Sequence, residues 1–363
     1  MKFLVYSHLC GLAVLSTTIA SAAPLTLHPK TSPLPTERQG PFIHLSDSRF
    51  MTAEGVSMAT SADGGKTWKE KAIIAPGVSF DISRERTLLR TKEGTILLAC
   101  MNLKERVWNW NSKINEAGPG TRLPTYLLRG PDEGARWEEP KLMHEEWTGA
   151  VRDMIQMKNG RIVFVSQYLA PNPSRHVTVT YSSDDDGRTW KRSNVIDLGG
   201  HGHHDGAIEG TLEQLKDGRV RMLLRTTYGA FWDAISEDGI YWTTIRKSNI
   251  PAATAPAILQ RVGSGRLVLV WNRPYPEGKT EYKLQGGKGA WAERPASNHR
   301  GELSIAFSED DGKGWSKPVV IARQPGASLA YPYVFESEPG NLWITTMQGG
   351  IRLQLKEADF VLR

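Results

Sequence analysis

Along most of this chain, short apolar runs alternate with small polar turns. "TKEGTILLA" from residue 91, "MKNGRIVFV" from 157, "LKDGRVRML" from 215, "VGSGRLVLV" from 262 and "SEPGNLWIT" from 337 each place a glycine-containing turn ahead of a strand-length apolar run, and "LSDSRFMTA" from 45 is a weaker sixth. Runs of this length bounded by turn residues read as strands paired in hairpins. A second repeat interleaves with the first: "SADGGKTW" from 61, "GPDEGARW" from 130, "SDDDGRTW" from 183, "SEDGIYW" from 236 and "SEDDGKGW" from 308. The copy at 130 lacks the serine, and the copy at 236 is one residue short. In such a box the Asp carboxylate can accept N–H groups of its own loop and Gly supplies a positive φ, while Trp covers the apolar underside of the turn. Each box can therefore fix a hairpin without help from its neighbours.

An inner hairpin followed by a boxed hairpin makes four strands. Repetition every roughly 40 to 60 residues, about six times, predicts an all-β chain: a six-bladed β-propeller of four-stranded antiparallel sheets. The blades are expected over 41–72, 80–140, 149–194, 206–246, 254–320 and 328–362. The last has no box and is expected to be closed by an N-terminal strand drawn from "LTLHP". Because the boxes fall in the outer hairpins, their aspartates are read as structural. The polar residues that begin the inner strands converge on one rim of the central channel and are the candidates for chemistry.

The chain opens "MKFLVYSHLCGLAVLSTTIASAAP". One basic residue, an apolar run and an Ala20-Ser21-Ala22 pattern predict a secretion signal over 1–23, leaving 24–363 as a single propeller in a secreted or periplasmic protein. The apolar stretch is shorter than the ~20 residues a spanning helix needs, and no later segment is longer, so no membrane span is expected. With Cys10 in the signal, only Cys100 remains, which excludes a disulfide framework. The formal net charge of +6 suits an anionic substrate. No basic run of the kind that nucleic-acid binders carry is present, so nucleic acid is not an expected partner. A monomer without a cofactor is expected.

Boxes of this type in a six-bladed pattern resemble the sialidase (neuraminidase) superfamily over nearly the whole mature chain. Members of that family hold the sugar carboxylate with three arginines, whose guanidinium forks offer bidentate, charge-assisted hydrogen bonds. "RERTLLRTKEG" from 84 sits where the family has Arg-Ile-Pro, and the resemblance assigns Arg84 to the first role, with Arg86 or Arg90 as the alternatives because the Ile-Pro is absent. "EGTLEQLKDGRVRMLLRT" is similar to the segment in which a Glu opens a strand and an Arg closes its partner, giving Glu209 and Arg225. "HRGELSIAFSEDDGKGW" gives Arg300, and "LAYPYVFESEPG" gives Tyr331. The resemblance implies a Tyr331 nucleophile, as sialidases use, with Glu209 as the base that a phenol of ordinary pKa near 10 requires. Sialylated glycans or glycoproteins are the implied partners.

One family feature is missing. The proton donor of the family is an Asp in the loop after the first arginine, and here that loop, "MNLKERVWNWNSKINEAGPGTRLPTY", contains no Asp. Glu105 and Glu116 are the acidic residues it offers. The segment "GGHGHHDGAIEG" from 199 sets His203, His204 and Asp205 directly before Glu209. His203, His204 and Asp205 are the candidate donors, since a histidine has an ordinary pKa near 6.5 and a carboxyl can be raised by burial. A metal site at this cluster is the weaker reading, because ligand types flanked by glycine lack a rigid helix to space them. Arg152 and Asp153, which begin another inner strand, complete the candidates. The expected activity is a sialidase. The alternatives are a hydrolase or lyase acting on another acidic sugar, and a glycan-binding propeller without catalysis.

Overall fold

The computed structural model describes residues 23–361. The expected secretion signal lies outside the described residues, apart from its final residue. Six antiparallel sheets follow one another along the chain. The first is built from Ile43–His44, Phe50–Glu54, Ser57–Ser61 and Lys69–Ala72. The second runs from Thr87–Arg90 to Lys141–His144, the third from Met154–Gln156 to Lys191–Arg192, and the fourth from Ile208–Gln214 to Thr244–Pro251. The fifth begins at Ile258–Arg261 and the sixth at Pro332–Glu338. This is a six-bladed β-propeller of four-stranded antiparallel sheets, with almost no helix. No helix among the described residues is long and apolar enough to cross a membrane.

The boxes connect the third and fourth strands of the first five blades. In the third blade Asp185 accepts from Ser183 Oγ at 2.8 Å, from Thr189 N at 2.8 Å and from Thr189 Oγ1 at 2.6 Å, while Trp190 Nε1 donates to the Gly187 carbonyl at 2.9 Å. Asp63 repeats the arrangement in the first blade with Ser61 and Thr67. Gly187 has φ +79°, and a Cβ there would meet Leu97 of the preceding blade at 2.7 Å. The box therefore also sets how closely neighbouring blades pack. Where the serine is missing, Pro131–Gly134 forms a short helical turn, with Asp132 and Glu133 at positive φ.

Closure uses the N-terminal segment in two places. Thr31–Pro33 is the outer strand of the sixth blade, paired with Arg352–Lys356. The "LTLHP" stretch instead supplies Thr26–Leu27, a fifth strand on the edge of the fifth blade. The expected closing strand is thus displaced by a few residues, because Thr31 Oγ1 and N both bond the His28 carbonyl and turn the chain between blades. Apolar clusters fill the spaces between adjacent sheets, such as that of Val163, Leu212, Met222 and Trp242 between the third and fourth blades. This packing holds the starts of the inner strands in fixed relation around the channel.

Candidate active site

Glu209 lies in the inner strand of the fourth blade, and Arg225 ends the strand beside it. The ladder pairs Ile208 with Arg225 and then slips at a bulge before Thr211. A bulge re-aims the side chain it releases. Glu209 adopts φ 51° and Tyr331 φ 63°, left-handed conformations that cost a non-glycine residue and persist only where surrounding structure enforces them. The two side chains meet: Tyr331 Oη donates to Glu209 Oε1 at 2.9 Å. Arg225 Nη1 donates to Glu209 Oε2 at 2.6 Å and reaches Tyr331 Oη at 3.4 Å. Gln167 Oε1 accepts from Glu209 N at 2.5 Å, which fixes the strained backbone.

The electrostatics follow from these contacts. Burial alone would raise the Glu209 carboxyl, but the charge and hydrogen bond of Arg225, joined by Arg300, hold it below its ordinary value. Burial, and then the Glu209 charge, push the Tyr331 phenol up to about 12. The resting pair is therefore a neutral phenol on a carboxylate, with an acceptor already in place for the phenolic proton.

Arg300 stands on the same group from the fifth blade. Its Nη2 donates to the Thr254 carbonyl at 2.7 Å and its Nη1 to Gln348 Oε1 at 3.0 Å, and its guanidinium lies 5.7 Å from the Tyr331 ring centre. Thr254 Oγ1 also accepts from Arg225 Nε at 3.1 Å, so one threonine positions both cations. Arg152, in the third blade, is fully buried between two aromatic rings, 5.4 Å from the centre of Tyr331 and 4.6 Å from that of Tyr333. It donates from Nη2 to the Pro332 carbonyl at 2.6 Å, and its Nε and Nη1 have no hydrogen-bond partner among the described residues. The Nε of Arg300 is in the same condition.

Arg84 is exposed and sits one step to the side. Its Nε donates to Gln39 Oε1 at 3.0 Å and its Nη2 to the Met347 carbonyl at 2.7 Å, while Met347 N bonds the Tyr331 carbonyl. It makes no direct contact with Glu209 or Tyr331. Arg86 is buried against the Gly40 and Ser83 carbonyls, and Arg90 pairs with Glu133. The cations in contact with the Glu209–Tyr331 group are Arg152, Arg225 and Arg300. The signal for Arg152 was its place at the head of an inner strand, the same as for the others.

The candidate proton donors separate by their partners. Asp205 is buried, and its carboxylate is taken up by Thr227 Oγ1 of the next turn at 2.7 Å and, within its own loop, by Gly206 N at 3.1 Å and His201 N at 3.2 Å. Gly206 beside it has φ +99°, and a Cβ there would lie 2.1 Å from the His176 carbonyl, so only glycine allows this approach. Glu105 accepts from Arg122, Tyr126 and Asn102. Glu116 accepts from the N and Oγ of Ser174. Asp153 is engaged by Met154 N, Leu212 N and Thr211 Oγ1, and burial raises it to about 6. His204 stays open to solvent, its Nδ1 2.5 Å from His203 Nδ1. Crowding by packed atoms, then the charges of Arg225, His203 and His176, hold its imidazole far below the ordinary value. Among the described residues no group of three or more His, Cys, Asp or Glu is arranged to hold a metal ion.

A two-stranded arm, Trp110–Asn111 with Glu116–Ala117, overhangs this histidine loop. Trp108 and Trp110 stack in parallel with centres 5.4 Å apart, and His203 meets both rings edge-on at 5.5 and 5.0 Å. His203 in turn meets the His204 ring at 4.5 Å, so the aromatic cluster covers the histidine loop.

Residues 44–344 match the family described as BNR repeat-like domain. A sialidase of Micromonospora viridifaciens is 24% identical over 296 residues, covering 75% of this chain and 41% of its own length. The chain thus spans less than half of that relative. A Hadza microbial sialidase shares the fold with a TM-score of 0.60 at 15% identity, over 89% of this chain and 66% of its own. An α-L-arabinanase of Penicillium chrysogenum, solved with arabinobiose, aligns with a TM-score of 0.55 at 14% identity, over 90% of this chain and 98% of its own. With this match spanning most of the propeller, the chain belongs to the BNR repeat-like domain family and is a sialidase-like propeller.

Proposed function

We propose that this protein is an exported exo-glycosidase that releases terminal sialic acid from glycoconjugates. The observation that carries this reading is the hydrogen bond from Tyr331 to Glu209, made by two residues that both hold left-handed backbone. A binding propeller needs cations to hold a carboxylate but has no use for a strained phenol seated on a buried base. In the proposed reaction Tyr331 Oη attacks the anomeric carbon as Glu209 takes its proton. A neutral phenol suits an electrophile that already carries a carboxylate, since a second carboxylate would be repelled. Arg225 stabilises Glu209 before the transfer, Arg152 supports the Tyr331 ring from beneath, and Arg300, the partly exposed cation of the group, is the one to meet an anionic sugar.

A second reading, a hydrolase acting on another acidic sugar, is favoured by the position of Arg84. The cations here come from the third, fourth and fifth blades, which is a different layout from an Arg84-centred clamp. One experiment separates the readings: incubate the purified protein with sialyl-lactose, uronate and arabinan oligosaccharide panels and identify the products. Free sialic acid from wild type, lost by orders of magnitude in Tyr331→Phe and Glu209→Gln, supports the sialidase. Full activity in Tyr331→Phe refutes the covalent scheme.

A further inference from the structure

We infer that Glu85 is the general acid and base of the reaction, in the place where the usual Asp is absent. The inference rests on the glycosidase reading above and on where the "RER" stretch puts its side chains. Arg84 and Arg86 both turn to the first and sixth blades, onto Gln39 and Met347 and onto Gly40 and Glu54. Glu85 lies between them in the bend that leads into the inner strand Thr87–Arg90, with Ser83 Oγ donating to its carbonyl at 2.7 Å. Its carboxyl is close enough to Glu209, Arg152 and Tyr331 for their charges to act on one another. Tyr333 Oη donates to the Arg86 carbonyl at 2.8 Å and to the Arg84 carbonyl at 3.2 Å, bracketing Glu85. The Tyr333 ring lies 4.6 Å from Arg152, which lies 5.4 Å from the Tyr331 ring.

Two further observations single out this carboxyl. Among the described residues no other side chain hydrogen-bonds or ion-pairs with it, whereas Glu105, Glu116, Asp153 and Asp205 are all committed to structural partners. Burial pushes its carboxyl above the ordinary value, and the nearby Glu209 charge adds to the shift against the opposing charges of Arg152 and Arg84. Two carboxyl groups driven apart in this way, one held ionised by Arg225 and one favoured as the acid, have the division of labour that acid–base hydrolysis needs.

The step balances. Glu85 gives its proton to the glycosidic oxygen as that C–O bond breaks, while Tyr331 Oη bonds the anomeric carbon and passes its own proton to Glu209. Water then attacks the glycosyl-tyrosine and gives a proton to the Glu85 carboxylate, while Glu209 returns its proton to the Tyr331 oxygen.

The test compares wild type, Glu85→Gln, Glu85→Ala and His204→Ala on a natural oligosaccharide and on a nitrophenyl glycoside of whichever sugar class the wild type cleaves. In kcat/KM, which reports the first step alone, Glu85→Gln should lose at least about 100-fold on the oligosaccharide and less than about 10-fold on the nitrophenyl substrate, because a good leaving group needs little protonation. Azide should restore turnover of the nitrophenyl substrate in Glu85→Ala and give a glycosyl azide. Equal losses of kcat/KM on both substrates, or a leaving-group-selective loss in His204→Ala and not in Glu85→Gln, would overturn the assignment while leaving the glycosidase reading intact. A wild type inactive on every panel would overturn that reading, and this one with it.

Discussion

The Arg225–Glu209 pair allows a prediction whose size follows from its geometry. At 2.6 Å and an effective dielectric near 20, the two charges attract by about 6 kcal/mol. Both are buried, with side-chain exposures of 1% and 7%, so each would be costly without the other. Removing one partner of a buried pair typically destabilises by about 3 to 5 kcal/mol, whereas replacing both with neutral groups is often close to neutral. Arg225→Met and Glu209→Gln should therefore each lower stability by about 3 kcal/mol or more, and the double variant by much less than their sum. The assay is guanidinium unfolding followed by tryptophan fluorescence, with the slope checked for constancy so that midpoint shifts report stability. A coupling energy of about 2 kcal/mol or more is expected. The reasoning is refuted if the two single variants add within about 0.5 kcal/mol, since the pair would then be solvated as a surface pair is. In Arg225→Met the Glu209 carboxyl should also rise, because burial would act on it with one fewer opposing cation; infrared detection of a protonated carboxyl, absent in Glu209→Gln, checks this.

Stability should also depend on pH through two buried acids. Burial raises Asp153 to about 6 and Glu213 to about 7, so the native state binds more protons than the unfolded one from about pH 4 to 7, and stability should fall as pH rises across that window. Asp153 alone contributes about 3 kcal/mol to this fall, and Asp153→Asn should flatten the slope in unfolding measurements made from pH 4 to 8. Gly206→Ala should destabilise on the order of 3 kcal/mol, since its Cβ would strike a backbone carbonyl rather than a movable side chain; a thermal midpoint within error of wild type would count against it. Cys100 is fully buried and burial pushes its thiol far up, so a thiol reagent should label it only after unfolding.

What the chain determined by itself was everything carried by local rules. A box needs only its own Ser, Asp, Thr, Gly and Trp, so "SDDDGRTW" folds the same turn that its spacing predicted, and five boxes alternating with inner hairpins specify six blades. That Glu209, Arg225, Arg300 and Tyr331 come together was legible because a propeller brings the heads of its inner strands to one rim. Tertiary structure decided which of the polar groups remain free. Asp205 looked available until Thr227, Gly206 and His201 were seen to claim it, and Arg84 until its fork closed on Gln39 and Met347. Arg152 enters the group because two tyrosines of the sixth blade enclose it, and Glu85 stands beside that group because the Tyr333 hydroxyl holds the carbonyls on either side of it. These outcomes depend on competition for hydrogen bonds between residues far apart in the chain, which no local pattern records.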